Sequence, residues 1–297
     1  MVKRLLSCYA SDFRNMGKQD LKESIKASEG RTILSENVVA RSTSPGLTNS
    51  EVAKAFGADL ILLNGLDLME PVINGLDTEE TPIKRLKKLV GRPIGVNLEP
   101  VDESASMAEN RLNIPKGRQA FKETFEKANE LGFDFICLTG NPGTGVSNKE
   151  INKALKVAKE TFNGLIIAGK MHGAGVNESI VDLDAITDFI ANGADVILLP
   201  AVGTVPGVTM DMVTQAVQLA KEKDVLTMSA IGTSQETSDP STIRTIALQN
   251  KIAGVDIQHI GDAGSGGLAP YQNLLEMSRA IRGDRHTIAR IAGSNER

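Results

Sequence analysis

A short signature recurs four times in this 297-residue chain: glycine, a small or apolar residue, aspartate, then an apolar run. It reads Gly57-Ala58-Asp59 before LILLN, Gly132-Phe133-Asp134 before FICLTG, Gly193-Ala194-Asp195 before VILLP, and Gly254-Val255-Asp256 before IQHIG. The last three copies begin at 132, 193 and 254, a step of 61 residues, which spans two strand–helix units of about 30 residues each. Each copy has the character of a helix-to-strand joint. The glycine ends a helix in the left-handed conformation, and a strand buried on both faces follows as an unbroken apolar run.

Four further apolar runs lie midway between the copies. Together they predict eight strands, at 32–37, 59–64, 93–99, 133–139, 165–170, 195–200, 225–231 and 256–260. Amphipathic segments such as Lys116–Leu131 and Lys149–Thr161 separate them, with apolar residues every three or four positions. Strict strand–helix alternation over eight units predicts a protein of the α/β class, a (β/α)8 TIM barrel over residues 31–297. An open doubly wound sheet would carry a glycine-rich dinucleotide loop after its first strand, and none is present. Residues 1–30 form an N-terminal helical extension, read as one helix capped by Ser11 or Asp12, running through Lys26 and closing the bottom of the barrel. The long segments Leu66–Thr81 and Val101–Pro115 are expected to fold over its mouth.

Composition narrows the function. The hydrophobic share of 41% and charged share of 24% are those of a globular protein. A net charge of −4 supplies no basic field for nucleic acid or an anionic membrane, so neither is an expected partner. No apolar run approaches the ~20 residues of a membrane span. The charged start MVKRLL lacks the apolar stretch of a signal peptide, which makes the cytoplasm the expected location. Cys8 and Cys137 stand in unrelated contexts and imply neither a disulfide framework nor a zinc ribbon.

In such barrels, catalytic groups stand at the carboxyl ends of strands. Those ends carry Glu36, Asn37, Asn64, Asp67, Asn97, Glu99, Thr139, Asn141, Lys170, His172, Thr204, Ser229, Thr233, Gln258, His259 and Asp262. Lys170 and His172, in GKMHG, are two residues apart and would face the same way, toward the mouth if the register is inward. A lysine there could serve as a Schiff-base amine or acid/base, with His172, Glu36 and Glu99 as further catalytic candidates. A rim salt bridge to Glu36 or Glu99 is the structural alternative for Lys170.

The loops after strands 7 and 8 are rich in glycine. Gly232, Thr233, Ser234, Gly261, Gly264 and Ser265 are candidates to bind phosphate through backbone N–H groups and hydroxyls. Asp262, in the middle of that set, would repel a phosphate if it faced inward. With only His172, His259 and His286 in the chain, a histidine-rich metal site is not expected. Glu36, Glu99 and Asp262 remain candidates for Mg²⁺ or Mn²⁺, and the cofactor expectation is either none or one such divalent cation. Asp182-Leu183-Asp184 has the spacing of a dehalogenase nucleophile motif, yet it opens a helix (AITDFIANG) instead of ending a strand.

The opening SCYASDFRNMGKQDLKESIKASEGRTILSEN, with GKMHGAG and HIGDAGSGG, resembles a bacterial TIM-barrel family over the whole chain. Its members are often labelled "haloacid dehalogenase-like hydrolase" and occur beside sugar phosphotransferase transport genes. The resemblance implies a phosphorylated sugar or its breakdown product as ligand, without fixing a reaction. The lysine-lysine-cysteine-glycine-histidine segment of the phosphonomutase and isocitrate lyase barrels is not found. The leading expectation is an aldolase- or epimerase-type enzyme acting on a small phosphorylated carbohydrate, so a lyase or isomerase. The alternatives are an Mg²⁺- or Mn²⁺-dependent hydrolase using the rim carboxylates and a non-catalytic sugar-phosphate sensor. Self-association is left open.

Overall fold

A computed structural model describes residues 2–77, 81–107 and 110–297. Its strands are β1 (Thr32–Val38), β2 (Leu60–Asn64), β3 (Ile94–Leu98), β4 (Phe135–Leu138), β5 (Leu165–Gly169), β6 (Val196–Pro200), β7 (Leu226–Ile231) and β8 (Ile257–Ile260). All neighbours pair in parallel and in chain order, and β8 returns to β1 to close the barrel. The expected fold is the one observed, with strand ends within about two residues of the reading above.

The helices are α1 (Ala10–Phe13), α2 (Lys18–Lys26), α3 (Asn49–Ala55), α4 (Pro82–Val90), α5 (Lys122–Leu131), α6 (Asn148–Thr161), α7 (Leu183–Ala191), α8 (Met210–Glu222), α9 (Pro240–Ala253) and α10 (Tyr271–Ala292). Among the described residues, no helix is long and apolar enough to cross a membrane. Asp182 caps α7 by accepting from the amides of Asp184 (2.9 Å) and Ala185 (3.2 Å), so the Asp-x-Asp pair is a helix start.

The repeated Gly-x-Asp has one job in all four copies. Gly57, Gly132, Gly193 and Gly254 take positive φ, which only glycine adopts without strain. Each aspartate then pins the preceding strand. Asp59 accepts from the amide of Ile33 (2.8 Å), Asp134 from Ile94 (2.8 Å), Asp195 from Ile166 (2.9 Å) and Asp256 from Thr227 (2.9 Å). The amide of each aspartate returns a bond to the carbonyl of the same residue. The signature thus fixes the register of β1–β2, β3–β4, β5–β6 and β7–β8.

The extension differs from the single helix expected. It is a 3-10 turn at Leu5–Ser7 followed by α1 and α2, and Gly17 begins the second helix as its N-cap. Leu5, Cys8, Phe13, Leu21 and Ile25 plug the amino end of the barrel by joining the interior cluster of Leu34, Leu62, Cys137, Ile167, Leu198 and Met228. Alternate residues, such as Ile33, Ile61, Ile136, Ile166 and Ile197, pack outward beneath the helices.

Charge holds the plug in place. Asp59 is fully buried, and it accepts from Arg282 (2.6 Å) and Arg290 (2.5 Å) of α10. Arg290 also donates to the carbonyls of Cys8 and Leu5, so one carboxylate ties the first strand pair, the extension and the last helix together. Burial raises the Asp59 pKa, but Arg282 and Arg290 more than offset it and hold the carboxyl below its ordinary value.

Candidate active site

Strand parity decides what reaches the mouth. Two residues beyond inward-facing Leu34, Leu62, Cys137 and Ile257 stand Glu36, Asn64, Thr139 and His259. On β3 the inward pair is Gly95 and Asn97; a Cβ on Gly95 would lie 2.2 Å from the Phe135 ring, so only glycine fits beside that phenylalanine. Glu36, Asn64, Asn97 and Thr139 line a cavity of about 720 Å³ at the carboxyl ends of the strands. That volume is within the usual range for small-molecule sites.

Glu36 is almost wholly buried and gripped from two sides. Asn97 Nδ2 donates to one carboxylate oxygen at 2.5 Å, and His259 Nε2 lies 3.0 Å from the other. A carboxylate can only accept, so His259 donates through Nε2. Several buried atoms of this group have no hydrogen-bond partner within the protein: Asn97 Oδ1, Thr139 Oγ1, His259 Nδ1 and Glu236 Oε2. Buried polar atoms are ordinarily paired, so these four have bonding capacity left for a polar ligand or water that reaches them.

A second chain of bonds runs along the rim. Arg118 donates to Glu99 (2.9 Å), and Asn141 donates to Glu99 from both its amide (2.8 Å) and Nδ2 (2.9 Å). Asn64 bonds Asn141 (2.8 Å) and Asp262 (2.7 Å), and Asp262 takes the amide of Gly264 (2.8 Å). Burial and the nearby Glu36 push the Asp262 carboxyl up to about 6. Burial is also the main cause raising Glu236, with Glu36 adding to it.

The raised Asp262 carboxyl makes stability depend on pH. The native state holds a proton between about pH 4 and 6 that the unfolded chain has lost, so stability falls as pH rises through that window. A shift of this size corresponds to roughly 1–3 kcal/mol. Melting temperatures from pH 4 to 7 should show a smaller decline in Asp262→Asn than in the wild type. Equal slopes would mean that this carboxyl is not shifted.

His172 faces the cavity from the wall opposite Glu36, since β5 and β1 are four strands apart in an eight-stranded barrel. Its Nδ1 accepts from the amide of Ala174 at 3.0 Å, a contact permitted by the left-handed Ala174 (φ 51°). The ring is therefore fixed as the tautomer that carries its proton on Nε2. Burial lowers its pKa, against the pull of Glu36 and Glu99, so it is neutral at pH 7.

Lys170 departs from expectation. It shares the phase of Ile166 and Ala168, which pack outward; the inward place belongs to Gly169, where φ is 147° and a Cβ would meet the Leu198 carbonyl at 2.2 Å. Its Nζ is buried in an ion pair with Glu178 at 2.6 Å, and it is neither a mouth residue nor paired with Glu36 or Glu99. Lys170→Met is expected to cost about 1–3 kcal/mol by removing one partner of a buried bond while leaving any turnover in place. Borohydride should trap no adduct on the wild-type protein; a trapped adduct at Lys170 would reverse this placement.

The phosphate candidates do come together, since Gly232, Thr233, Ser234, Gly261 and Gly264 all line the mouth. Three of their donors, however, are engaged. Thr233 Oγ1 donates to the Thr204 carbonyl (2.5 Å), the Gly261 amide to Ile231 (2.8 Å) and the Gly264 amide to Asp262. The backbone of Glu236 and Ser234 opposes the rise that burial gives the Glu236 carboxyl. The Asp262 carboxylate thus takes the Gly264 amide, one of the donors expected to hold phosphate. The Ser265 side chain lies outside the described residues.

Glu36, Glu99 and Asp262 do not converge on one point, because each is held by separate donors. Among the described residues, no three His, Cys, Asp or Glu side chains form a group able to hold a metal ion. The sequence reading named Asn64, Asn97 and His259 as strand ends without assigning them roles, and it missed Glu236 and Arg118.

The chain belongs to the family described as "Domain of unknown function (DUF7916)", whose model matches residues 6–297. No curated protein matches it by sequence. Among solved structures it is similar to 2,3-dimethylmalate lyase, a PEP mutase/isocitrate lyase superfamily member (TM-score 0.52, 13% identity, 84% of this chain and 81% of that one). It is also similar to a Schiff base forming fructose-1,6-bisphosphate aldolase (TM-score 0.52, 14% identity, 86% and 94%). A third is thiamine phosphate pyrophosphorylase from Pyrococcus furiosus (TM-score 0.50, 12% identity, 86% and 97%). At these identities the likeness is one of fold.

Proposed function

We propose that this protein is an aldolase- or epimerase-type enzyme that removes a proton next to the carbonyl of a small, neutral, polyhydroxylated substrate. The observation that carries this reading is a buried carboxylate facing a neutral histidine across one cavity. Glu36, anchored by Asn97 and His259, is the base; it retains lone pairs beyond the two that accept those bonds. His172, locked with its proton on Nε2, donates to the carbonyl oxygen as negative charge develops there. Pairing a carboxylate base with a neutral imidazole is a known solution for enolisation, because a neutral donor is better matched to an enediolate than a charged one. Asn97 Oδ1 and Thr139 Oγ1, unpaired within the protein, supply an acceptor and a hydroxyl for substrate hydroxyls.

The charge at the mouth argues for a neutral substrate. Glu36, Glu236 and Asp262 line it, and its one arginine, Arg118, is paired with Glu99. A thermal-shift screen of neutral aldoses and ketoses beside their phosphates tests this. A ligand at ~100 times its dissociation constant adds about 2.7 kcal/mol of stability, which raises the melting temperature visibly. Shifts from neutral compounds are expected; shifts from phosphorylated compounds alone would overturn the assignment of substrate charge.

A further inference from the structure

We propose that a second cavity, at the amino end of the barrel, floored by Arg92 and rimmed by Arg14, Lys84 and Arg85, is a binding site for a small organic phosphate. This cavity of about 650 Å³ lies between α1, α4, the start of β3 and the last residues of the chain. It shares no lining residue with the mouth, and its ligand is independent of the chemistry assigned there.

The charge at this end is unbalanced. Arg92 is 5% exposed and makes three hydrogen bonds, all to backbone carbonyls: Ala58 (3.3 Å), Gly91 (3.0 Å) and Arg290 (3.4 Å). The nearby buried carboxylate, Asp59, is bonded to Arg282 and Arg290. Among the described residues, three buried guanidinium groups therefore share one carboxylate. Burial first, then Arg290, lowers the Arg92 pKa to about 10, and burial first, then Arg92, lowers Lys54 on α3. Arg14 likewise donates to carbonyls, those of Ala10 (3.4 Å) and Asn295 (3.3 Å).

Among the described residues, two acids line the cavity in opposition. Asp134 is bonded to Lys87 (2.8 Å) and the Ile94 amide (2.8 Å), and Glu296 is exposed near the chain's end. Cations remain in excess around a concave surface, the arrangement that captures a multiply charged anion through arginine forks. The ligand must be larger than inorganic phosphate to fill the space. Phe13 and Met16 form an apolar wall, with the Arg92 and Arg290 guanidiniums 5.9 Å from the Phe13 ring centre. That wall suits a heterocycle or other flat group attached to the phosphate.

ADP is the probe, measured by isothermal titration with the full chain. Saturable binding is expected, weakened at least tenfold by the double reversal Arg14→Glu, Lys84→Glu. Both positions are exposed, so an unchanged circular dichroism spectrum is expected alongside. Glu36→Gln should leave ADP binding unaltered, and inorganic phosphate should bind at least tenfold more weakly. The proposal is overturned by no saturable binding at millimolar ADP or by equal affinity in the charge-reversed protein. Loss of binding in Glu36→Gln would also overturn it by placing ADP in the mouth, as would inorganic phosphate binding as tightly as ADP.

Discussion

Glu36→Gln is expected to cut turnover by roughly 10²–10⁴-fold, the usual contribution of a positioned general base. Gln preserves size, so the barrel should fold. The amide cannot accept a proton, however, and its NH2 group must face a donor that the carboxylate had satisfied, either Asn97 Nδ2 or His259 Nε2. That mismatch costs about 1–3 kcal/mol of stability. The loss should fall on kcat more than on KM, because the group acts on the proton in flight. A second readout needs no substrate. Glu36 contributes to the raised pKa of Asp262, so in Glu36→Gln the Asp262 carboxyl should titrate below its wild-type value of about 6 by carbon-13 NMR. Full turnover in the variant would remove Glu36 from the chemistry.

The largest loss of stability is expected at Asp59→Asn. The variant leaves Arg92, Arg282 and Arg290, all nearly inaccessible to water, without a countercharge. Breaking a buried ion pair by removing one partner typically costs 3–5 kcal/mol, because the remaining charge is still desolvated. Here the bond to the Ile33 amide is altered as well, which loosens the β1–β2 register. A lower urea midpoint at similar slope is the expected result. A midpoint within error of the wild type would show that the arginines are neutralised by something other than Asp59.

The barrel was legible because its joints are written in sequence. Gly-x-Asp marks a left-handed cap followed by a side chain that pins the next strand pair, and four copies repeat that instruction. Phase was not legible. A strand buried on both faces is apolar at every position, so Leu165-Ile166-Ile167-Ala168-Gly169 does not announce which residues face inward. That is why the sequence leaves Lys170 facing the mouth only on an inward register, a place that Gly169 occupies instead. The glycine-rich loops, candidates for phosphate in the sequence, do line the mouth. The bond from the Gly264 amide to Asp262 depends on a short side chain folding back on its own turn, a matter of local geometry that composition does not carry. The bonds among Glu36, Asn97 and His259 join β1, β3 and β8, residues 61 and 223 positions apart, and only the closed barrel brings them together.

The most direct test of the central claim is solvent deuterium exchange, followed by proton NMR, on a neutral carbohydrate that stabilises the protein. In D2O the wild type and Lys170→Met should both replace the proton beside the substrate carbonyl with deuterium, and Glu36→Gln should do so at least 10²-fold more slowly. Binding without exchange in the wild type, or exchange that survives Glu36→Gln and disappears in Lys170→Met, would contradict the assignment of Glu36 as the base.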